Sequence, residues 1–163
     1  MEKPYNVLFL CTGNSARSIM AEAILNWKGH PFFRAYSAGS HPSGRVRPEA
    51  LAQIELAHMP VESFRSKSWA EFAKPGEPQM DFIFTVCDSA AAEICPVWPG
   101  QPMTAHWGVA DPAAVQGAPE QIERAFRDAF MILDRRISLF LALPLSTLSQ
   151  LAIKKEIDRI GLQ

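Results

Sequence analysis

Near the start of the chain an apolar run passes directly into small polar residues and then into a helix, and this junction restricts the fold more than any other feature. Val7 to Leu10 is a short unbroken apolar stretch after Asn6, the pattern of a buried strand. Cys11-Thr12-Gly13-Asn14-Ser15-Ala16-Arg17-Ser18 follows at once. Met20, Ala23, Ile24 and Trp27 then recur at the spacing of an amphipathic helix that ends near Gly29.

The rest of the chain alternates in the same way. Phe32 to Ser37 reads as a second strand closed by Ala38-Gly39, and Ser40 to Arg47 as a loop. Pro48 suits the first turn of a helix carrying Leu51, Ile54 and Ala57 inward. After the turn Pro75-Gly76-Glu77-Pro78, Met80 to Cys87 is a third strand, Asp88 to Pro102 is irregular, and Met103 to Trp107 is a fourth strand. A long helix follows Pro119, with Ile122, Phe126, Ala129, Leu133, Ile137 and Phe140 on one face, and Pro144 ends it. Leu148 to Ile160 is a terminal helix. Such alternation predicts an α/β fold of three α/β/α layers around a four-stranded parallel sheet. With 163 residues, no repeat and no linker, a single domain over 1–163 is expected, with 145–163 as a helical extension.

Composition removes several functional classes. A formal net charge of −1 disfavours a nucleic-acid partner held by phosphate neutralisation. No apolar run approaches the roughly 20 residues of a membrane span, and the longest, Ile137 to Leu143, stops at Pro144. The first residues lack the pattern of a signal peptide, so the cytoplasm is the expected compartment. In that reducing setting three cysteines, Cys11, Cys87 and Cys95, argue against a disulfide framework and leave buried thiols, a metal site or thiol chemistry. Their wide spacing disfavours zinc.

Cys11 and Arg17 are separated by five residues, at the carboxyl end of a strand where α/β sheets bind ligands. Backbone N–H groups from Thr12, Gly13, Asn14, Ser15, Ala16 and Arg17 can converge on a tetrahedral oxyanion, aided by the following helix N-terminus. Arg17 can grip two oxygens through its planar fork. The same field is expected to lower the Cys11 pKa and make it the nucleophile, with Ser18 donating to its sulfur.

Val7 to Ser18 resembles the signature of the low-molecular-weight tyrosine phosphatase superfamily, and the resemblance extends through Ser37-Ala38-Gly39 and Asp111-Pro112. The strings Ser66-Lys67-Ser68-Trp69, Val86-Cys87-Asp88, Cys95-Pro96 and His106-Trp107-Gly108 resemble its arsenate reductase branch. The resemblance implies that fold, with Asp111 as the acid that assists the departing oxygen. It also implies a three-thiol relay: Cys11 attacks arsenate, Cys87 attacks Cys11, and Cys95 attacks Cys87. No cofactor is required. Some relatives hold a potassium ion behind the loop, and Asn14, Glu22 and Ser37 match the residues involved. Thioredoxin is the implied electron donor. The Cys87-to-Cys95 spacing is one residue longer than in familiar thioredoxin-coupled members, so glutaredoxin with glutathione is the alternative. A continuous helix between those two cysteines would hold their Cα atoms about 12 Å apart, beyond the reach of about 7 Å for a disulfide, so 88–100 is expected to be a mobile loop.

Two other functions use the same residues. A tyrosine or small phosphomonoester phosphatase would need Cys11, Arg17 and Asp111 but neither Cys87 nor Cys95. Ala113-Ala114-Val115 after Asp111-Pro112 lack the aromatics with which such phosphatases wall a cleft for a ring, which favours a small inorganic oxyanion; phosphate and sulfate would mimic it. A non-enzymatic module switching through Cys87 and Cys95 would bind an oxyanion without turnover.

Overall fold

In the computed structural model, which describes residues 3–74, 76, 78–87, 98 and 100–163, the Val7–Leu10 run lies inside strand β1 (Tyr5–Leu10). These four residues are at most 1% exposed because β1 is a central strand with both faces covered. Its neighbours are β2 (Phe33–Ala38) and β3 (Phe82–Thr85), and β4 (Met103–His106) lies outside β3. All pairs are parallel, in the order β2-β1-β3-β4. The helices described are α1 (Arg17–Gly29), α2 (Pro48–Leu56), α3 (Pro119–Leu141) and α4 (Gln150–Ile160). The expected α/β fold with four parallel strands is the one found.

Alternation along β1 sorts its side chains between two apolar clusters. Val7 and Phe9 pack with Ile19, Met20 and Ile24 of α1, Ile54 of α2, Phe126 and Phe140 of α3, and Ile157 of α4. Leu8 and Leu10 face the other way, against Phe72, Met80 and Ile83, with Trp69 and Trp98 at the margin. Each such side chain contributes roughly 1.5–3 kcal/mol by leaving water. On α4, Ser149 Oγ accepts from Ala152 N at 3.2 Å and caps the helix. The indole of Trp107 stacks on Phe84 (centroids 3.9 Å apart) and donates Nε1–H to Ile157 O at 2.9 Å. No helix among the described residues is long and apolar enough to cross a membrane.

Two expectations need correction. Trp27 does not face the core but is 54% exposed, because α1 packs against both sheet and α3 and buries Ile19, Ala21 and Leu25 beside Met20, Ala23 and Ile24. The third strand is shorter than Met80 to Cys87. Met80 is buried below it, and Val86 and Cys87 continue past its end. The segment expected to be mobile falls largely outside the described residues, as does Cys95.

The sheet register sets the site. Leu10 pairs with Thr85, and Val86 N donates to Leu10 O at 2.8 Å. The carboxyl ends of β1 and β3 therefore lie side by side, and Cys11 and Cys87 emerge next to each other.

Candidate active site

Cys11 N still donates to Ala38 O at 3.2 Å, and beyond it the chain turns through a loop into α1. The loop carbonyls are bonded outward. Thr12 O accepts from His41 N (2.9 Å), Gly13 O from Ser43 N (3.0 Å) and Ser66 Oγ (3.1 Å), and Ser15 O from Arg47 N (2.8 Å). The opposite edge of the loop lines a cavity with Cys87, Val109 and Asp111. Helix α1 begins at Arg17 with no side-chain cap and no acidic residue in its first turn, so the positive end of its dipole is directed at that cavity. The fit to an anion is physical: outward carbonyls, an uncapped helix and a guanidinium share one concavity.

Arg17 is fixed at one corner. Its Nη1 donates to Val109 O at 2.8 Å, and Nη2 lies 3.7 Å from Asp111 Oδ1. The Nε–H is buried and has no hydrogen-bond partner among the described residues, a costly state for a donor unless a ligand takes it. Asp111 is about half exposed, and its Oδ1 also accepts from Ala113 N at 2.9 Å, capping the short 3-10 turn Pro112–Ala114. The acid expected on this loop therefore stands beside the guanidinium at the mouth of the cavity.

The two described thiols line one cavity, and Thr12 N–H donates to Cys87 Sγ at 3.2 Å. The expected lowering of the Cys11 pKa is not found in this arrangement. The adjacent Cys87 thiol and then burial push the Cys11 thiol well above its ordinary value, outweighing the Arg17 charge and the Thr12 N–H. A buried thiol beside a second one ionises reluctantly.

Behind the loop the groups are closely bonded. Asn14 takes the left-handed conformation (φ 46°), which asparagine tolerates better than most residues. Its Nδ2 donates to Ser18 Oγ at 2.8 Å and its Oδ1 accepts from Lys67 N at 2.9 Å. Ser18 Oγ is the acceptor in this bond, so its own O–H remains available for the donation to Cys11 expected above. Lys67 Nζ donates to Arg65 O (2.8 Å), Ser37 Oγ (3.4 Å) and Asn14 Oδ1 (3.5 Å). Ser37 Oγ donates to Glu22 Oε1 at 2.5 Å. Burial raises the Glu22 pKa, against the opposing effects of Ser37, Lys67 and Arg65, and burial lowers that of Lys67. Asn14, Glu22 and Ser37 do converge as the potassium expectation required. They do not fit that ion, because an ammonium already stands among their oxygens and a second cation would face it at short range.

Lys67 was not singled out from sequence, since a lysine in a polar string reads as solvated; it is 8% exposed. Gly39 was noted only as a strand end. A Cβ there would overlap the carbonyl oxygens of Thr12 and Cys11, so glycine is what lets β2 approach the loop. His106 bonds Thr85 Oγ1 at 2.8 Å at the end of β4, outside the cavity lining. Among the described residues no group of three or more histidine, cysteine or acidic side chains could hold a metal ion.

A cysteine and an arginine on one loop after the first strand of a four-stranded parallel sheet frame a cavity suited to an oxyanion. The chain belongs to the low molecular weight phosphotyrosine protein phosphatase family, whose sequence profile matches residues 6–155. It is 31% identical over 134 residues to an arsenate reductase from Halalkalibacterium halodurans, covering 82% of this chain and 93% of that relative. Its fold is shared with an arsenate reductase in the phosphate binding state at a TM-score of 0.66 and 23% identity, over 85% of this chain and 97% of that one. The thioredoxin-dependent arsenate reductase of Corynebacterium glutamicum gives 0.56 and 21%, over 85% of this chain and 65% of that one.

Proposed function

We propose that this protein reduces arsenate to arsenite, with Cys11 as nucleophile, Asp111 as acid and Cys87 as the second thiol. The observation that carries this reading is the Cys87 thiol beside Cys11 in the lining of the oxyanion cavity, with Thr12 N–H donating to its sulfur. Hydrolysis of a phosphoester needs no second sulfur there, whereas a two-electron reduction does. The arsenate reductase relative at 31% identity supports the same choice.

The site binds arsenate through the loop N–H groups, the α1 dipole and Arg17, whose Nε–H gains a partner. For attack the thiolate must sit on Cys11, where the Arg17 charge and the Thr12 N–H favour it. The Cys11 thiolate adds to As(V), and an oxygen leaves as water with a proton from Asp111. The Cys87 thiolate then attacks Cys11 Sγ. The S–As electron pair stays on arsenic, arsenite As(III) departs, and a Cys11–Cys87 disulfide remains. Cys95 attacks Cys87, Cys11 leaves as thiolate, and a small dithiol protein reduces the Cys87–Cys95 bond. Thioredoxin is the proposed donor, supported by the likeness to the thioredoxin-dependent enzyme; glutaredoxin with glutathione is the alternative arm of the test. The cytoplasm, whose reducing poise keeps three thiols ready, is the proposed compartment.

The test is arsenate-dependent NADPH oxidation with thioredoxin and its reductase, run beside glutaredoxin and glutathione. Cys87→Ser and Cys95→Ser should each end multiple turnover and leave p-nitrophenyl phosphate hydrolysis intact. Normal arsenate reduction by both variants would overturn the relay.

A further inference from the structure

The loop that carries Asp111 is held from behind by a buried cation that the chemistry above does not use. Arg136 of α3 is 7% exposed, and its Nη1 donates to Gly108 O at 2.9 Å and its Nη2 to Gln163 O at 3.2 Å. Among the described residues no carboxylate side chain pairs with it, and its buried Nε–H has no partner. A guanidinium bonded to Gly108 O and Gln163 O carries a desolvation cost that an apolar side chain at the same core position would not.

Its placement gives the reason for keeping it. Gly108 and Val109 are consecutive, and their carbonyls serve two different arginines: Gly108 O accepts from Arg136, and Val109 O accepts from Arg17 at 2.8 Å. Val109 N is tied to Val86 O at 3.0 Å, beside Cys87, and Asp111 follows two residues later. From the other side, Gly161 at the end of α4 lies so close to His106 O that a Cβ would overlap it. The short span 107–111 is thus clamped by Arg136 and α4 on its outer side, with Arg17 and the cavity on its inner side.

The geometry points to Arg136 as a positioning residue that orients the Val109 carbonyl toward Arg17 and presents Asp111 to the reacting oxyanion. This rests on the roles given to Arg17 and Asp111 in the proposed function. Arg136 touches no substrate; it acts through the loop. Because Nη2 binds Gln163 O, the end of α4 bears on the same loop through one side chain.

The experiment compares Arg136→Met and Arg136→Lys with wild type, each alone and combined with Asp111→Asn. Kinetics are read on arsenate reduction and on p-nitrophenyl phosphate hydrolysis. Native-state amide exchange is read at Val109 and Ala113, whose N–H groups bond Val86 O and Asp111 Oδ1. Arg136→Met should lower kcat about tenfold with little change in KM, as expected for a displaced catalytic group, and should speed exchange at both amides. Arg136→Lys should recover part of each loss. In the Asp111→Asn background the same substitution should cost less than about twofold, because its effect runs through Asp111. An equal cost in both backgrounds, or unchanged exchange at Val109 and Ala113, overturns the proposal. If Arg136→Met does not fold, exchange in Arg136→Lys decides by the same criterion. A wild type that fails to reduce arsenate would refute the proposed function, while the exchange result would still bear on Arg136.

Discussion

The two sides of the Cys11–Arg17 loop are built on opposite terms. The rear side is saturated: Asn14 spans from Ser18 to Lys67, the Lys67 ammonium reaches three oxygens, and Ser37 donates to a half-buried Glu22. The front side is left reactive, with an Arg17 Nε–H that has no partner among the described residues, an uncapped helix end and two thiols in one cavity. The contrast teaches how the loop is prepared for an anion. Its shape is fixed by bonds on the face away from the chemistry, so the donors facing the cavity need no rearrangement when the anion arrives.

Substitutions can break or sharpen this division. Front-side changes should lose rate while the fold survives, and rear-side changes should lose stability first. Cys11→Ser is the most severe, with arsenate reduction and p-nitrophenyl phosphate hydrolysis both expected to fall about 10⁴-fold or more at an unchanged Tm. Residual turnover near wild type would place the nucleophile elsewhere. Arg17→Lys keeps the charge but loses the planar fork, and kcat should fall about 10²–10³-fold with weakened phosphate binding by calorimetry. A variant that binds phosphate normally would show that the fork is not the clamp.

A smaller effect is expected from Cys87→Ala. It removes the first cause of the raised Cys11 pKa, so Cys11 should ionise at lower pH and alkylate with iodoacetamide at pH 7 about tenfold faster. A pH–alkylation profile that stays in place, or moves upward, would show that Cys87 is not what raises the Cys11 pKa. By the same sign, the raised folded value contributes stability below the ordinary thiol range and loses it as pH rises beyond that range, where the unfolded chain gives up a proton that folded Cys11 keeps. Mildest in rate is Gly39→Ala on the rear side. Overlap with the Thr12 and Cys11 carbonyls should cost roughly 1–3 kcal/mol, read as a lower urea midpoint, and unaltered stability would mean that β2 can retreat.

How much of this was legible in the sequence follows from which interactions are local. Val7–Leu10, the glycine turn and the helix after it are written in adjacent residues, so strand, loop and helix were readable, as were Cys11, Arg17 and the Asp111 loop. Trp27 was misplaced because helical spacing reports one stripe, whereas α1 is covered on two sides. Lys67 and Arg136 escaped notice because burial of a cation depends on oxygens brought from distant segments: Asn14 and Ser37 for one, Gly108 and Gln163 for the other. The Cys11 ionisation was misjudged for a related reason. The loop field is local and predictable, but the neighbour that outweighs it arrives from β3.

That neighbour depends on a single alignment between two strands. With Leu10 opposite Thr85, Cys11 follows its strand end by one residue and Cys87 follows its own by two, and both line one cavity. Deleting one residue from β3 would shift this alignment and draw the Cys87 thiol away from Cys11, while the loop of β1 and α1 would keep its own connections. The second thiol of the proposed reduction is therefore tied to the alignment of two strands, whereas the anion loop depends on one.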